Sequence, residues 1–119
     1  LHNYFYPLRV RPCRRTVALT EYGGIAWVCP GHEAPHKSYG YGTAKTRQEL
    51  TARYKKLQLG TVLPQLQKGL SALVYTQLTD VEDEVNGLFT YDRAVVKPDP
   101  NGVRSVNAAL AAEFARVTG

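Results

Sequence analysis

Two short apolar runs and two stretches of helical period divide this chain. Val17-Ala18-Leu19 and Leu70-Ser71-Ala72-Leu73-Val74-Tyr75-Thr76 are apolar at successive positions but too brief for helices. That pattern predicts strands of a parallel sheet, buried on both faces, over Arg15 to Thr20 and over Leu70 to Thr76. Between them, Leu50, Tyr54 and Leu57 recur at i, i+4 and i+7, which predicts an amphipathic helix. Thr46 followed by Glu49 has the spacing of a capping box and marks its start. Gly60 and Pro64 interrupt the pattern, as a kink or as a second short helix beginning near Thr61 with Pro64 in its first turn. Leu63 and Leu66 carry the apolar face on to Gly69, which is suited to lie just past the helix end. The last helix is expected from Ser105 or Val106 to Val117, with Ser105 as N-cap and Val106, Leu110, Phe114 and Val117 as its stripe. Residues 1–14, rich in aromatics, Pro and Arg, read as a strand end followed by an irregular connection.

The order is strand, loop, helix, strand, loop, helix, which predicts an α/β fold of two consecutive right-handed β/α units. Two strands cannot form a stable sheet that is apolar on both faces. An eight-stranded (β/α)8 TIM barrel takes about 250 residues, so two units correspond to its last quarter. The whole of residues 1–119 then forms one C-terminal piece of such a barrel. The absence of any Met, at position 1 or elsewhere, fits a fragment or processed product. Both strands feed long loops, Glu21 to Lys45 and Gln77 to Arg104, and long loops in small domains are usually functional. Glu21 stands where the first strand meets Gly23-Gly24, which permit positive φ and close approach of another group. A carboxylate at that end of a parallel strand occupies the usual place for chemistry in such folds. The same pattern also describes a solvated loop glutamate, the commoner case.

Composition narrows the field. With 44% hydrophobic and 21% charged residues the chain is globular rather than disordered. No apolar run approaches the roughly 20 residues of a membrane span, so no membrane partner is expected. The net charge of +5 comes partly from Arg9, Arg11, Arg14 and Arg15. They alternate with Val10, Pro12 and Cys13, and no nucleic-acid-binding signature accompanies them. A solvated basic segment is the expectation, with no nucleic-acid partner. Cys29, His32 and His36 have a C-x2-H-x3-H spacing, and Cys13 supplies a possible fourth zinc ligand. The paired knuckles of a zinc finger are absent, and Pro30, Gly31 and Pro35 suit an irregular loop, so no metal or other cofactor is expected.

The second loop concentrates four carboxylates in Asp80-Val81-Glu82-Asp83-Glu84-Val85-Asn86-Gly87. Counted as a calcium loop from Glu82, it places Gly87 at position 6 but Arg93 at position 12, where a bidentate glutamate is needed. Calcium is therefore rejected. What is left is a solvated acidic loop closed by a turn at Asn86-Gly87, or a rim of acceptors for substrate hydroxyls.

Taken together, Leu19-Thr20-Glu21-Tyr22-Gly23-Gly24, Tyr39-Gly40-Tyr41-Gly42, Tyr75-Thr76-Gln77-Leu78-Thr79-Asp80-Val81-Glu82 and Glu84-Val85-Asn86-Gly87-Leu88-Phe89-Thr90-Tyr91-Asp92-Arg93 resemble glycoside hydrolase family 2. This is the family of the β-galactosidases, β-glucuronidases and β-mannosidases. The resemblance runs from His2 to Lys97 and implies strands seven and eight of the catalytic barrel. It implies that Glu21, in T-E-Y-G, is the nucleophile of a retaining glycosidase. The family's acid/base glutamate follows an asparagine on strand four, and this chain contains no Asn-Glu pair. His2-Asn3-Tyr4 looks like the family's H-N-Y segment, although Phe5 and Tyr6 stand where a proline is commoner. Trp27 and Tyr75 fall where the family tends to place aromatics near the sugar, and Asp80 on the acceptor rim. Tyr4 or Asn3 would donate to an ionised Glu21.

Two other readings stay open: a non-catalytic carbohydrate-binding or interaction module, and a small zinc-binding domain. The expected partners are a carbohydrate and the rest of the barrel. Taken alone, the chain is expected to lack turnover and to self-associate through its strand edges at 15–20 and 70–76.

Overall fold

Apolar side chains at Leu19, Tyr22 and Leu70 need a covering layer, and helices supply it on one side of a short parallel sheet. In the computed structural model, which describes residues 1–32 and 40–119, the sheet has three strands in the order β1 (His2–Asn3), β2 (Val17–Gly23) and β3 (Leu70–Thr76). Both pairings are parallel, with His2 opposite Glu21 and Leu19 opposite Leu73. This is a mixed α/β fold in which β2 is central and β1 and β3 form the edges. The first expected strand is therefore displaced. It starts at Val17 rather than Arg15 and continues through Glu21 and Tyr22 to Gly23. Arg15 and Thr16 lie outside the sheet, and residues 17–20 are not a free edge, because Leu1 bonds Ala18 and Thr20 on one side while Val17, Ala18 and Leu19 pair with β3 on the other.

Residues 4–16 make the crossover from β1 to β2 without a helix. Leu8 and Val10 alternate inward into the core, and the Val10 N–H donates to the buried Gln65 Oε1 at 2.9 Å. Helix α1 (Arg47–Lys55) begins where the capping pattern places it. Thr46 accepts from the Glu49 N–H at 3.1 Å. The return bond differs, since Glu49 Oε2 accepts from the Lys45 N–H at 2.8 Å rather than from Thr46.

The interruption at Gly60 and Pro64 takes a third form. Lys56–Val62 winds as a π-helix and runs straight into α2 (Leu63–Leu66). Pro64 has no N–H and its ring would press on the carbonyl four residues back. A wider turn relieves both, and Leu63 N–H reaches Gln58 O, five residues back. Gly69, at φ +100°, ends the helix and donates to Leu66 O at 3.2 Å, as its position implied.

Helix α3 (Pro100–Thr118) starts five residues before Ser105. Asp99 is the N-cap, accepting from the N–H groups of Asn101 and Gly102, and Pro100 fills the first turn. Val106 and Leu110 are buried, whereas Phe114 is 40% exposed. Among the described residues no helix is long and apolar enough to cross a membrane.

The main core gathers Leu8, Leu19, Tyr22, Val62, Leu66, Leu70 and Leu110 between sheet and helices. The opposite face of the sheet is open. Thr20, Ala72 and Val74 are exposed, Val74 by 54%, so β3 is not buried on both faces as its run of apolar residues predicted. Among the described residues no layer covers this face.

Candidate active site on a bulged parallel strand

Glu21 owes its orientation to an irregularity in β2. From Leu19 to Tyr22 the strand advances three residues while β3 advances two, from Leu73 to Tyr75. One extra residue is thus accommodated at Thr20-Glu21. A β-bulge of this kind re-aims a side chain that strict alternation would send elsewhere. Leu19 and Tyr22 both keep to the helix-packed core, and Glu21 is left half-buried at the C-terminal end of the strand.

Each carboxylate oxygen of Glu21 has its own partner. The Tyr4 hydroxyl donates to Oε1. His2 Nδ1 lies 2.8 Å from Oε2, with the two side chains 65% and 34% exposed. Parallel pairing sets both contacts, because His2 is the register partner of Glu21 and Tyr4 follows just beyond the end of β1. Burial, and then the bond to Glu21, push the Tyr4 hydroxyl up to about 12, so it holds its proton and remains a donor through the neutral range. Asn3, the other expected donor, turns away, and its Nδ2 bonds Tyr6 O at 2.8 Å.

The two glycines after Glu21 do not leave open space for a ligand. A Cβ on Gly23 (φ +97°) would come within 2.3 Å of the Tyr75 ring. One on Gly24 (φ +67°) would come within 2.6 Å of Tyr41 and 2.9 Å of Tyr4. Their small size admits tyrosines, of which Tyr4 reaches the Glu21 carboxylate. Tyr41 stacks on Tyr4 with ring centroids 3.8 Å apart and 10° between planes. Tyr41 belongs to the Tyr-Gly repeat, whose period was the available signal for this role. Its first member, Tyr39, lies outside the described residues, as do His36 and the turn expected at Pro35.

The other expected binding residues are placed differently. The Tyr75 ring packs edge-on between Tyr22 and Tyr54, with centroids 5.5 and 5.2 Å away, and its buried hydroxyl has no partner among the described residues. Burial raises its pKa strongly. Trp27 packs against a second cluster of Ile25, Ala44 and Leu50. Asp80 does not sit on a rim. It is 4% exposed, and its Oδ1 accepts from Lys97 Nζ and from the Gly87 N–H, each at 2.8 Å. Lys97, fully buried, also donates to Val85 O at 2.8 Å. Burial pushes Asp80 up and Lys97 down, each toward its neutral form, against the bond between them. Sequence reading missed Lys97. Its signal was a lone cation between Val95-Val96 and Pro98.

The Asp80–Lys97 pair organises the loop after β3. Gly87 packs so closely that a Cβ there would lie 2.2 Å from the Asp80 nitrogen. Gln77 Nε2 donates to Glu84 Oε2 at 3.0 Å and to Asn86 Oδ1 at 2.7 Å. Two contacts join this loop to the one after β2: Trp27 N–H to Val85 O at 2.9 Å, and His32 Nδ1 to Asp92 Oδ2 at 2.7 Å. Bonds from Thr90 and then from His32 hold the Asp92 carboxyl well below the usual carboxylate range. Among the described residues no three His, Cys, Asp or Glu side chains gather to hold a metal ion. Cys13 instead lies 3.2 Å from Arg15 O.

Compared with known proteins, the chain matches no family model and no curated protein.

Proposed function

We propose that this chain is the C-terminal part of a retaining β-glycosidase barrel of the family-2 type, with Glu21 as the nucleophile. The observation that carries the reading is the setting of Glu21. It is a lone carboxylate on a bulge, at the C-terminal end of the central parallel strand, hydrogen-bonded by a tyrosine on one oxygen and with a histidine ring nitrogen 2.8 Å from the other.

In this mechanism Glu21 attacks the anomeric carbon while a second carboxyl group, about 5–5.5 Å away, protonates the departing glycosidic oxygen. The C–O bond to the leaving group breaks as the Glu21–sugar ester forms. Water, deprotonated by that second group, then cleaves the ester and restores Glu21. Tyr4 keeps Oε1 fixed and its charge solvated, which assigns attack to Oε2. The His2 imidazole covers Oε2 and has to yield it to the sugar. The second carboxyl group comes from the rest of the barrel, whose strands would cover the open face at Thr20, Ala72 and Val74. The partners are therefore a β-glycoside and the remainder of that barrel.

The test is a panel of fluorogenic β-glycosides on the intact protein, with and without Glu21→Gln. The reading requires turnover that falls by about a thousandfold or more in the variant. Turnover retained within tenfold would remove Glu21 from the role.

A further inference from the structure

Beside Tyr4 the structure contains a cavity of about 540 Å³. That is within the roughly 300–1,000 Å³ of small-molecule sites. Glu21 does not line it. Its aromatic wall comes from Tyr4, Phe5 and Tyr6, and the stacked Tyr41 continues that wall, with Phe5 packed edge-on 5.9 Å from it. Phe5 is 70% and Tyr6 79% exposed, a large apolar area to leave facing water next to a cavity.

The facing wall is helical and cationic. Arg53 and Lys56, three residues apart on one helix face, line it together with Thr61, and among the described residues no carboxylate does. Arg53 has Glu49 Oε1 at 3.6 Å, a long and partly exposed pairing. The Lys56 backbone N–H serves the helix end, and its side-chain ammonium has no hydrogen-bond or ion-pair partner among the described residues.

We propose that this cavity is a binding site for a small organic anion: a ring-sized body with an apolar face, laid on Phe5 and Tyr6, and a carboxylate reaching Arg53 and Lys56. Aromatic faces suit both the C–H face of a pyranose and another aromatic ring. Arg and Lys on one side, with no acidic side chain among the described lining residues, set the sign of the ligand. A sugar acid and an aromatic acid share this chemistry. The anion's contacts are separate from the nucleophile assignment: Glu21 does not line the cavity, neither Arg53 nor Lys56 touches Glu21, and Tyr4 is the lining residue shared between the two.

The experiment is calorimetric titration of the intact protein, run both in the parent and in a Glu21→Gln background, so that it stands whether or not Glu21 turns a glycoside over. The probes are methyl β-D-glucuronide, its neutral counterpart methyl β-D-glucoside, and benzoate. At least one of the two anions is expected to bind saturably, about tenfold more tightly than the glucoside, and the tighter of the two identifies the source. Arg53→Gln/Lys56→Gln, at exposed helix positions, is expected to weaken the anion about tenfold and leave the glucoside unchanged. Phe5→Ala is expected to weaken both classes. The proposal is overturned if neither anion saturates, if the glucoside binds as tightly, or if the double variant binds the anion as the parent does. None of those results bears on Glu21.

Discussion

Two carboxylates follow neighbouring strands of the same sheet, and their surroundings differ in every respect. Glu21 is half-buried; a phenol hydrogen-bonds one of its oxygens and an imidazole lies 2.8 Å from the other, neither bringing a permanent counter-charge. Asp80 is 4% exposed and meets a fully buried ammonium and a backbone N–H. The first arrangement keeps a charged oxygen near solvent, where another molecule can displace a weak partner. The second commits the charge to the fold, because a buried ion pair loses heavily when either member is removed. The residue type at a strand end therefore does not by itself separate an acid open to a ligand from one bound into the fold; burial and partner chemistry do.

The largest expected effect that would sharpen this contrast is on stability. Lys97→Met leaves Asp80 buried without its counter-charge and is expected to destabilise the fold by about 3–5 kcal/mol in urea denaturation. Asp80→Asn/Lys97→Met removes both charges while keeping an acceptor for Gly87, and should recover most of the loss. A single variant as stable as the parent would break the distinction.

Tyr4→Phe tests the other side. It removes the donor to Oε1 and leaves the ring stacked on Tyr41, so the fold should persist. Turnover is expected to fall about tenfold to a hundredfold, the worth of one hydrogen bond to a charged group. Unchanged turnover would mean that Glu21 does not depend on this contact.

The smallest effect lies far from both loops. Bonds from Arg116 and then from Gln67 lower the Glu113 carboxyl from 4.5 to about 2. A carboxyl lowered on folding adds stability that is complete above its unfolded pKa and lost as pH falls through the folded one. Acid unfolding should therefore show a shallow loss from about pH 4.5 toward pH 2, reduced in Glu113→Gln. An identical profile in the variant would remove this pair from the account.

Local chemistry made much of the fold legible. Thr46 and Gly69 marked helix ends because capping is decided within a few residues, and the bounds of β3 follow from its unbroken apolar run. The start of α3 was legible too, in Asp99-Pro100, but the apolar stripe begins only at Val106 and drew the boundary to Ser105. The π-helical turn and the bulge at Glu21 answer to constraints set by partners elsewhere, and single-strand periodicity carries neither. Tyr4, His2 and Glu21 were each visible as residues. Their convergence is a matter of register, as is the use of Gly23 and Gly24 to seat tyrosines rather than a sugar. Lys97 escaped because a buried lysine is recognised only with its acid, seventeen residues away.

The central claim is that Glu21 bonds covalently to a sugar. The most direct measurement is inactivation of the intact protein with a 2-fluoro β-glycoside, followed by mass mapping of the labelled peptide. The account predicts one sugar on Glu21, in the peptide spanning β2. A label on Asp80, Glu82 or any other carboxylate would contradict it.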